Sequence, residues 1–150
     1  MKSTYLLSAL RKKSALEAVN SESLNINQIK NYYLATIFRS LTKLNADIFN
    51  GFTSLTLIDL SYNKLRSLEP QTFQQLVQLE TLNLNNNEFV FLDPKLFKGL
   101  ASLVRLDLHN NKLLSLDTHT FHGLHKLESL DLSTNSLIQV GDNEFHTPIK

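Results

Sequence analysis

The chain has 150 residues, a formal net charge of +1 and no cysteine. This length fits one domain or a short array of small units, and it excludes a large two-domain enzyme. The absence of cysteine excludes disulfides, thiolate metal ligands and a cysteine nucleophile. The near-zero net charge gives no overall basic surface for nucleic acid. No run approaches the roughly 18 apolar residues of a membrane span, so we expect no membrane insertion by this chain.

Leucine is the most informative part of the composition, because it makes up 31 of the 150 residues. From Leu55 onward the leucines recur with a period of 24 residues and without an insertion. A fixed period of about 20 to 50 residues is typical of repeat proteins. The sequence therefore predicts a lead-in (1–30), a degenerate first repeat (31–54) and a set of regular repeats (55–150).

The lead-in predicts an N-terminal helix. Five apolar residues would share one side of it: Leu6, Leu7, Leu10, Leu16 and Val19. Two interpretations are open, a helix that covers the end of the core and a segment that stays mobile. The basic run Arg11–Lys13 follows a short apolar stretch, whereas in a secretory signal the charge precedes that stretch. Together with the absence of Asn-x-Ser/Thr sequons, this order favours a chain that is not exported.

Counting back one period from the regular repeats places a degenerate repeat in residues 31–54. Its strand is predicted at Tyr33–Ile37, where Leu34 fits the pattern but Thr36 replaces a leucine. Arg39 occupies the position that holds an asparagine in the later repeats. End repeats of an array are usually atypical, which is the interpretation we give to this segment.

Four regular repeats follow: 55–78, 79–102, 103–126 and 127–150. Their common pattern is Leu-x-x-Leu-x-Leu-x-x-Asn-x-Leu-x-x-Leu, with a phenylalanine ten residues after the asparagine. The alternation Leu82-Asn83-Leu84 predicts a short strand with one buried face. Identical strands one repeat apart run parallel and pair at about 4.8 Å. Each repeat then buries its apolar side chains only against its neighbours, so the array is stable as a stack.

This pattern resembles the leucine-rich repeat, specifically its typical class of 24 residues, firmly over residues 55–148 and partly over 31–54. The resemblance implies an α/β solenoid, a right-handed horseshoe arc with a short parallel sheet on the concave face. Its convex side is expected to be irregular or to contain short helices. A bend with the sheet inside also follows from packing, because the returning arm of each repeat is bulkier than the strand arm.

Two columns of the repeat predict structural roles. The asparagine column lies where the chain leaves the strand, and its carboxamides can pair backbone groups that would otherwise be buried without a partner. This predicted asparagine ladder consists of Asn63, Asn87, Asn111 and Asn135. The phenylalanine column is expected to fill the convex half of the core: Phe49, Phe73, Phe97, Phe121 and Phe145.

The residues that alternate with the buried leucines are expected to face the concave surface. By analogy with the family this surface binds partners, and side chains on a rigid sheet lose little entropy when a partner docks. Exposed aromatic residues beside arginine are typical of interface anchors. The predicted partner-binding residues are Tyr62, Asn83, Asn85, Arg105, Asp107 and His109. The alternative is that the lead-in helix folds over the apolar edge of this surface.

Metal and catalytic interpretations are weaker. Asp59, Asp107 and Asp131 share one column, but neighbours spaced by one strand supply few oxygens for a calcium site. The run from His119 to His125 has three histidines spaced by three residues, and a solvated surface explains it better than zinc. The sequence has no phosphate loop, nucleophile elbow or HExxH motif. We therefore predict no metal, no cofactor and no enzymatic activity.

The sequence as a whole predicts a leucine-rich-repeat module that binds protein partners through its concave face. Similar arrays in cell-surface receptors and extracellular proteoglycans imply a cell-surface or extracellular setting, and the alternative is an intracellular scaffold or adaptor. The last repeat closes near Lys150 without a cysteine-rich cap. We expect either a fragment of a longer array or end-on association with a second copy or a partner. We expect no nucleic-acid partner.

Overall fold

The structure, a computed structural model, describes residues 32–35, 41–44 and 46–140. The predicted helix in residues 1–30 and the end of the last repeat, residues 141–150, lie outside the described residues. The strands are β1 (Tyr32–Ala35), β2 (Leu55–Asp59), β3 (Thr81–Asn83), β4 (Arg105–Asp107), β5 (Ser115–Leu116), β6 (Ser129–Asp131) and β7 (Gln139–Val140). A 3-10 helix spans Ala46–Phe49.

Five strands form one parallel sheet in the order β1-β2-β3-β4-β6. From β2 to β6, residues 24 apart in the sequence are partners in neighbouring strands. One such column is Ile58, Leu82, Leu106 and Leu130. The strands are three to five residues long, too short to be stable alone, so the 24-residue period sets the register of the whole sheet.

The degenerate first repeat also contributes a strand to this sheet. Leu34 pairs with Ile58, which keeps the 24-residue offset. Tyr32 pairs with Leu55 instead, so the register shifts by one residue at the start of β1. The strand lies at Tyr32–Ala35, one residue earlier than the predicted start, and Thr36, Ile37 and Arg39 lie outside the described residues.

The core is a column of leucines between the sheet and the returning arms of the repeats. In β3, Leu82 is fully buried while Thr81 and Asn83 on either side of it are half-buried. Leu84 and Leu108, just after their strands, are also fully buried. The Leu-x-Leu alternation therefore has the inward orientation that the sequence predicts. A parallel sheet built from stacked repeats is a solenoid, and the horseshoe curvature stays a prediction.

The arm opposite the sheet consists mainly of turns. Phe73 and Phe97 are buried in it, and each stacks on the phenylalanine of a neighbouring repeat. The ring centroids are 5.8 Å apart for Phe49 and Phe73, and 6.0 Å apart for Phe97 and Phe121. Phe145, the last predicted member of this column, lies outside the described residues.

The sequence does not predict the second sheet, which pairs β5 with β7 in parallel on this arm. Ser115 is the partner of Gln139 and Leu116 is the partner of Val140, again at an offset of 24 residues. Two-residue strands carry no periodicity of their own, so only the stacking of equivalent positions could have indicated them.

The turn after each strand uses the left-handed backbone conformation. The residue before each ladder asparagine has a positive φ: Tyr62 (55°), Asn86 (52°), Asn110 (51°) and Thr134 (55°). Asparagine tolerates this region better than other residues with a side chain, whereas a β-branched threonine there is unusual. The shared turn therefore imposes the conformation at Tyr62 and Thr134 against their own preference.

Candidate binding surface

The candidate binding surface is the exposed face of the five-stranded sheet, which we call the sheet face. Successive side chains of a strand point to opposite sides, so the residues that flank each inward leucine line up in rows across the strands. Strand pairing defines two rows, Thr81-Arg105-Ser129 and Asn83-Asp107-Asp131. A third row follows the strands and contains Asn85, His109 and Ser133.

The second row shapes the strand ends. A side-chain oxygen of each residue in it accepts a hydrogen bond from the backbone N–H two residues later, as in an Asx-turn. For Asp107 the bond comes from the N–H of His109 at 2.9 Å, and for Asn83 it comes from the N–H of Asn85 at 3.1 Å. Asp107 and Asn83, predicted as partner-binding residues, therefore also fix the backbone of the third row.

A hydrogen bond across two strands joins two of the predicted binding residues. The Asn85 Nδ2 group donates to Oδ2 of Asp107 at 2.7 Å. Since Oδ1 of Asp107 already accepts from the backbone, both oxygens of this carboxylate are bonded. The two side chains are thus held in one orientation on the half-buried middle of the sheet face.

His109 belongs to a second group, which the sequence analysis missed. Its Nδ1 lies 2.8 Å from the Ser133 hydroxyl oxygen, and that hydroxyl donates to Oδ1 of Asp131. A hydroxyl has one hydrogen, so Nδ1 of His109 must carry the proton and donate to Ser133. Serine lies between histidine and aspartate in this order. A catalytic triad has histidine in the middle as the base, so this group does not activate the serine.

The same contacts change the titration of Asp131. Its pKa is lowered, first because the Ser133 hydroxyl donates to the carboxylate and then because the Ser133 N–H does. A charge on His109 lowers it further, while partial desolvation acts in the opposite direction. The carboxylate form of Asp131 is therefore the form that the local structure favours.

Tyr62 and Arg105 are the most exposed of the predicted binding residues. Tyr62 is 63% exposed at the turn after β2, and Arg105 is exposed at the start of β4. Within the described residues, no hydrogen bond or ion pair engages either side chain. The structure therefore brings Asn85 and Asp107 into contact, places His109 beside Ser133, and leaves Tyr62 and Arg105 available at the margins.

Metal binding has no support from the described part of the chain, where no three His, Asp or Glu side chains form a group that could hold an ion. The His119 and His122 ring centroids are 6.3 Å apart. His119 instead contacts Asp117, with 3.2 Å between Nδ1 and Oδ1. None of the described residues belongs to a helix long and apolar enough to cross a membrane.

Comparison with protein families identifies the repeat. The family model described as leucine rich repeat matches residues 38–89 and 78–137, which together cover most of the chain. The chain belongs to the leucine-rich-repeat family. A comparison with curated proteins found no match.

In these leucine-rich repeats, each ladder asparagine bonds to its own coil and to the preceding one. Oδ1 of Asn87 accepts from the N–H of Leu65 in the preceding repeat at 3.1 Å. Its Nδ2 group donates to the carbonyls of Leu60, Leu84 and Asn85 at 3.0 to 3.2 Å. Asn87 therefore satisfies buried backbone groups in two coils at once.

The same arrangement repeats along the array. Oδ1 of Asn63, Asn111 and Asn135 accepts from the N–H of Leu41, Phe89 and Leu113 respectively. Asn63, Asn87 and Asn111 are buried, whereas Asn135 in the last repeat is half-buried. Leu130 and Leu132 of that repeat are also only partly buried.

Replacement of Asn87 by alanine should lower the free energy of unfolding by about 1–3 kcal/mol, because it leaves buried N–H and C=O groups unpaired. Urea unfolding followed by circular dichroism measures the change. The control is Asn50→Ala on an exposed turn, where the side chain bonds to Asp47. We expect less than about 0.5 kcal/mol there. Equal losses in the two variants would contradict the structural role of Asn87.

The pKa of Asp131, measured by NMR titration, should lie below that of an ordinary aspartate. Ser133→Ala should raise it, whereas Ser133→Thr keeps the hydroxyl and should leave it low. A lowered folded-state pKa stabilises the fold above the unfolded-state pKa, and the effect is lost as the pH falls through the folded value. The stability difference between wild type and Ser133→Ala should therefore shrink in acid. An unchanged pKa in Ser133→Ala would show that this contact does not exist in solution.

Proposed function

We propose that this leucine-rich-repeat chain binds a protein partner through its sheet face, which the horseshoe geometry would make concave. The observation that carries the proposal is the arrangement of exposed and ordered groups. Tyr62 and Arg105 are free to contact a partner, and Asn85, Asp107 and His109 are held between them by hydrogen bonds.

Order of this kind favours binding. Side chains that are already fixed lose little conformational entropy when a partner docks. Tyrosine and arginine are the residue types that most often contribute a large share of interface energy. A surface with fixed polar groups in the middle and exposed anchors at the margins therefore supports specific recognition.

Charge supports a protein partner over a nucleic acid. Asp59, Asp107 and Asp131 lie in one row of the sheet face, with Arg105 in the row beside it. Nucleic-acid affinity depends on cations that neutralise phosphates, and a row of carboxylates opposes it. The sheet face therefore fits a partner that presents hydrogen-bond donors or basic side chains.

Catalysis is not part of the proposal. The group of His109, Ser133 and Asp131 has the wrong order for a triad, and it lies on an exposed surface. An exposed surface does not exclude water from a reaction. The geometry of the described residues supports binding without chemistry.

The double variant Arg105→Glu/Tyr62→Ala tests the binding face. Affinity purification from cells that express the tagged chain should recover at least about tenfold less of each specific partner, since hot-spot residues contribute roughly 2 kcal/mol or more. The matched control Arg66→Glu/Phe91→Ala changes the same kinds of exposed side chain away from the sheet face. Wild-type recovery by the first variant, or an equal loss in the control, would refute the assignment.

We further propose that the module is part of a cell-surface or extracellular recognition protein. The setting of similar leucine-rich-repeat arrays supports this proposal. The alternative, an intracellular scaffold or adaptor, is favoured by the absence of cysteine and of Asn-x-Ser/Thr sequons.

Antibody staining of an epitope-tagged chain tests the setting. The expected result is a signal on intact cells that expression of an untagged chain does not give. A signal seen only after permeabilisation would favour the intracellular scaffold, provided that staining for a known surface protein succeeds on the same intact cells.

A further inference from the structure

A row of exposed apolar side chains lies on the flank of the array, away from the sheet face. We call it the apolar stripe: Val90 (45% exposed), Phe91 (57%), Leu114 (46%) and Ile138 (87%). Val90, Leu114 and Ile138 occupy the same position in successive repeats. Backbone hydrogen bonds join them, from Leu114 to Val90 at 3.3 Å and from Ile138 to Leu114 at 3.0 Å. The stripe is therefore one continuous surface across three coils.

The stripe does not serve the core. Phe89 and Leu92, which flank Val90 and Phe91 in the sequence, point inward and are buried. The core of this repeat is thus complete without the two exposed residues between them. Contiguous exposed apolar surface on a soluble protein marks an interaction site more often than isolated apolar residues do.

Charged residues of opposite sign lie on the two sides of the stripe. The side nearer the asparagine ladder has a net charge of +2, from Lys64, Arg66, Glu88 and Lys112. Glu88 there bonds to Arg66 at 3.0 Å and lies 3.7 Å from Lys112. The pKa of Glu88 is lowered, mainly by the hydrogen bond from Arg66. The other side has three carboxylates, Glu69, Asp93 and Asp117, before Lys95 and His119.

We propose that the apolar stripe is the contact between two copies of this chain, packed side by side with a two-fold axis along the stripe. Rotation about that axis places the basic side of one copy on the acidic side of the other. Lys112 would then face Asp117 of the second copy, and Lys64 would face Glu69. A two-fold axis across the stripe would instead bring Lys112 onto Lys64 and carboxylates onto carboxylates, which is unfavourable.

Self-complementarity is the reason to choose a second copy as the occupant. A two-fold interface requires that one surface carry both members of every contact. This flank does so, because the basic and acidic groups of the first and third regular repeats lie five residues apart on opposite sides of the stripe. The same axis places Val90, Leu114 and Ile138 against their own equivalents.

The size of the surface sets the strength of the dimer. Four coils at about 4.8 Å and six residues at about 3.3 Å give a face of roughly 15 Å by 16 Å. This is well below the roughly 800 Å² per partner of a standard stable interface. The dimer is therefore weak and depends on concentration and on salt.

Sedimentation equilibrium of the full chain at low salt, up to millimolar concentration, tests the dimer. The mass should rise reversibly from 17.1 kDa toward twice that value. Leu114→Glu should weaken association at least about tenfold, which corresponds to 1.4 kcal/mol. The control Val77→Glu also adds a carboxylate at an exposed apolar residue (49% exposed), outside the stripe, and should associate as the wild type does.

A charge exchange tests the direction of the axis. Lys112→Glu and Asp117→Lys each place like charges opposite one another, so each variant alone should associate more weakly than the wild type. An equimolar mixture of the two should recover association, because every new charge then faces its opposite. Circular dichroism confirms that each variant is folded.

Three results would overturn the proposal. A wild-type chain that stays monomeric throughout would do so, whether residues 141–150 cover the stripe or a different protein binds it. Equal weakening by Val77→Glu would move the contact elsewhere. A mixture that fails to recover, although Leu114→Glu weakens association, would exclude the proposed axis.

Discussion

The structure depends on one repeated hydrogen-bonding group, the asparagine that closes each coil. Asn87 accepts a bond from the coil before it and donates to carbonyls of both coils. The buried turn would otherwise leave backbone groups without partners, at a cost comparable to a lost hydrogen bond for each group. Packing of the leucines holds the coils together, and the asparagine makes that packing compatible with a turn of the chain inside the core.

The same turn determines what the surface can present. Asp107 shapes the strand end through its bond to the N–H of His109, and the left-handed residue before each ladder asparagine follows directly. The sheet face is therefore rigid because its own polar side chains take part in the turn. The flank lies beyond the turn, where no such bonding constrains the outward positions, and there the apolar stripe alternates with buried core residues.

Sequence periodicity predicted what repeats, and it missed what depends on contacts between repeats. The inward position of Leu84 and the parallel register followed from spacing alone, because stacking fixes both. The contact of His109 with Ser133 joins residues 24 apart, and it depends on side-chain rotamers that the spacing does not define. The left-handed backbone at Tyr62 was missed because the turn imposes it against the preference of tyrosine, although Asn86 and Asn110 in the same column were a hint.

The asparagine contacts also have a direction, since each side chain reaches back by only one coil. Duplication or deletion of one whole unit in the middle of the array would preserve every such contact, whereas a change of one or two residues would break several. Gene rearrangement can thus lengthen this protein in fixed increments. Each added unit would widen the recognition surface by about 4.8 Å and offer a fresh set of outward side chains for selection, without altering those already in use.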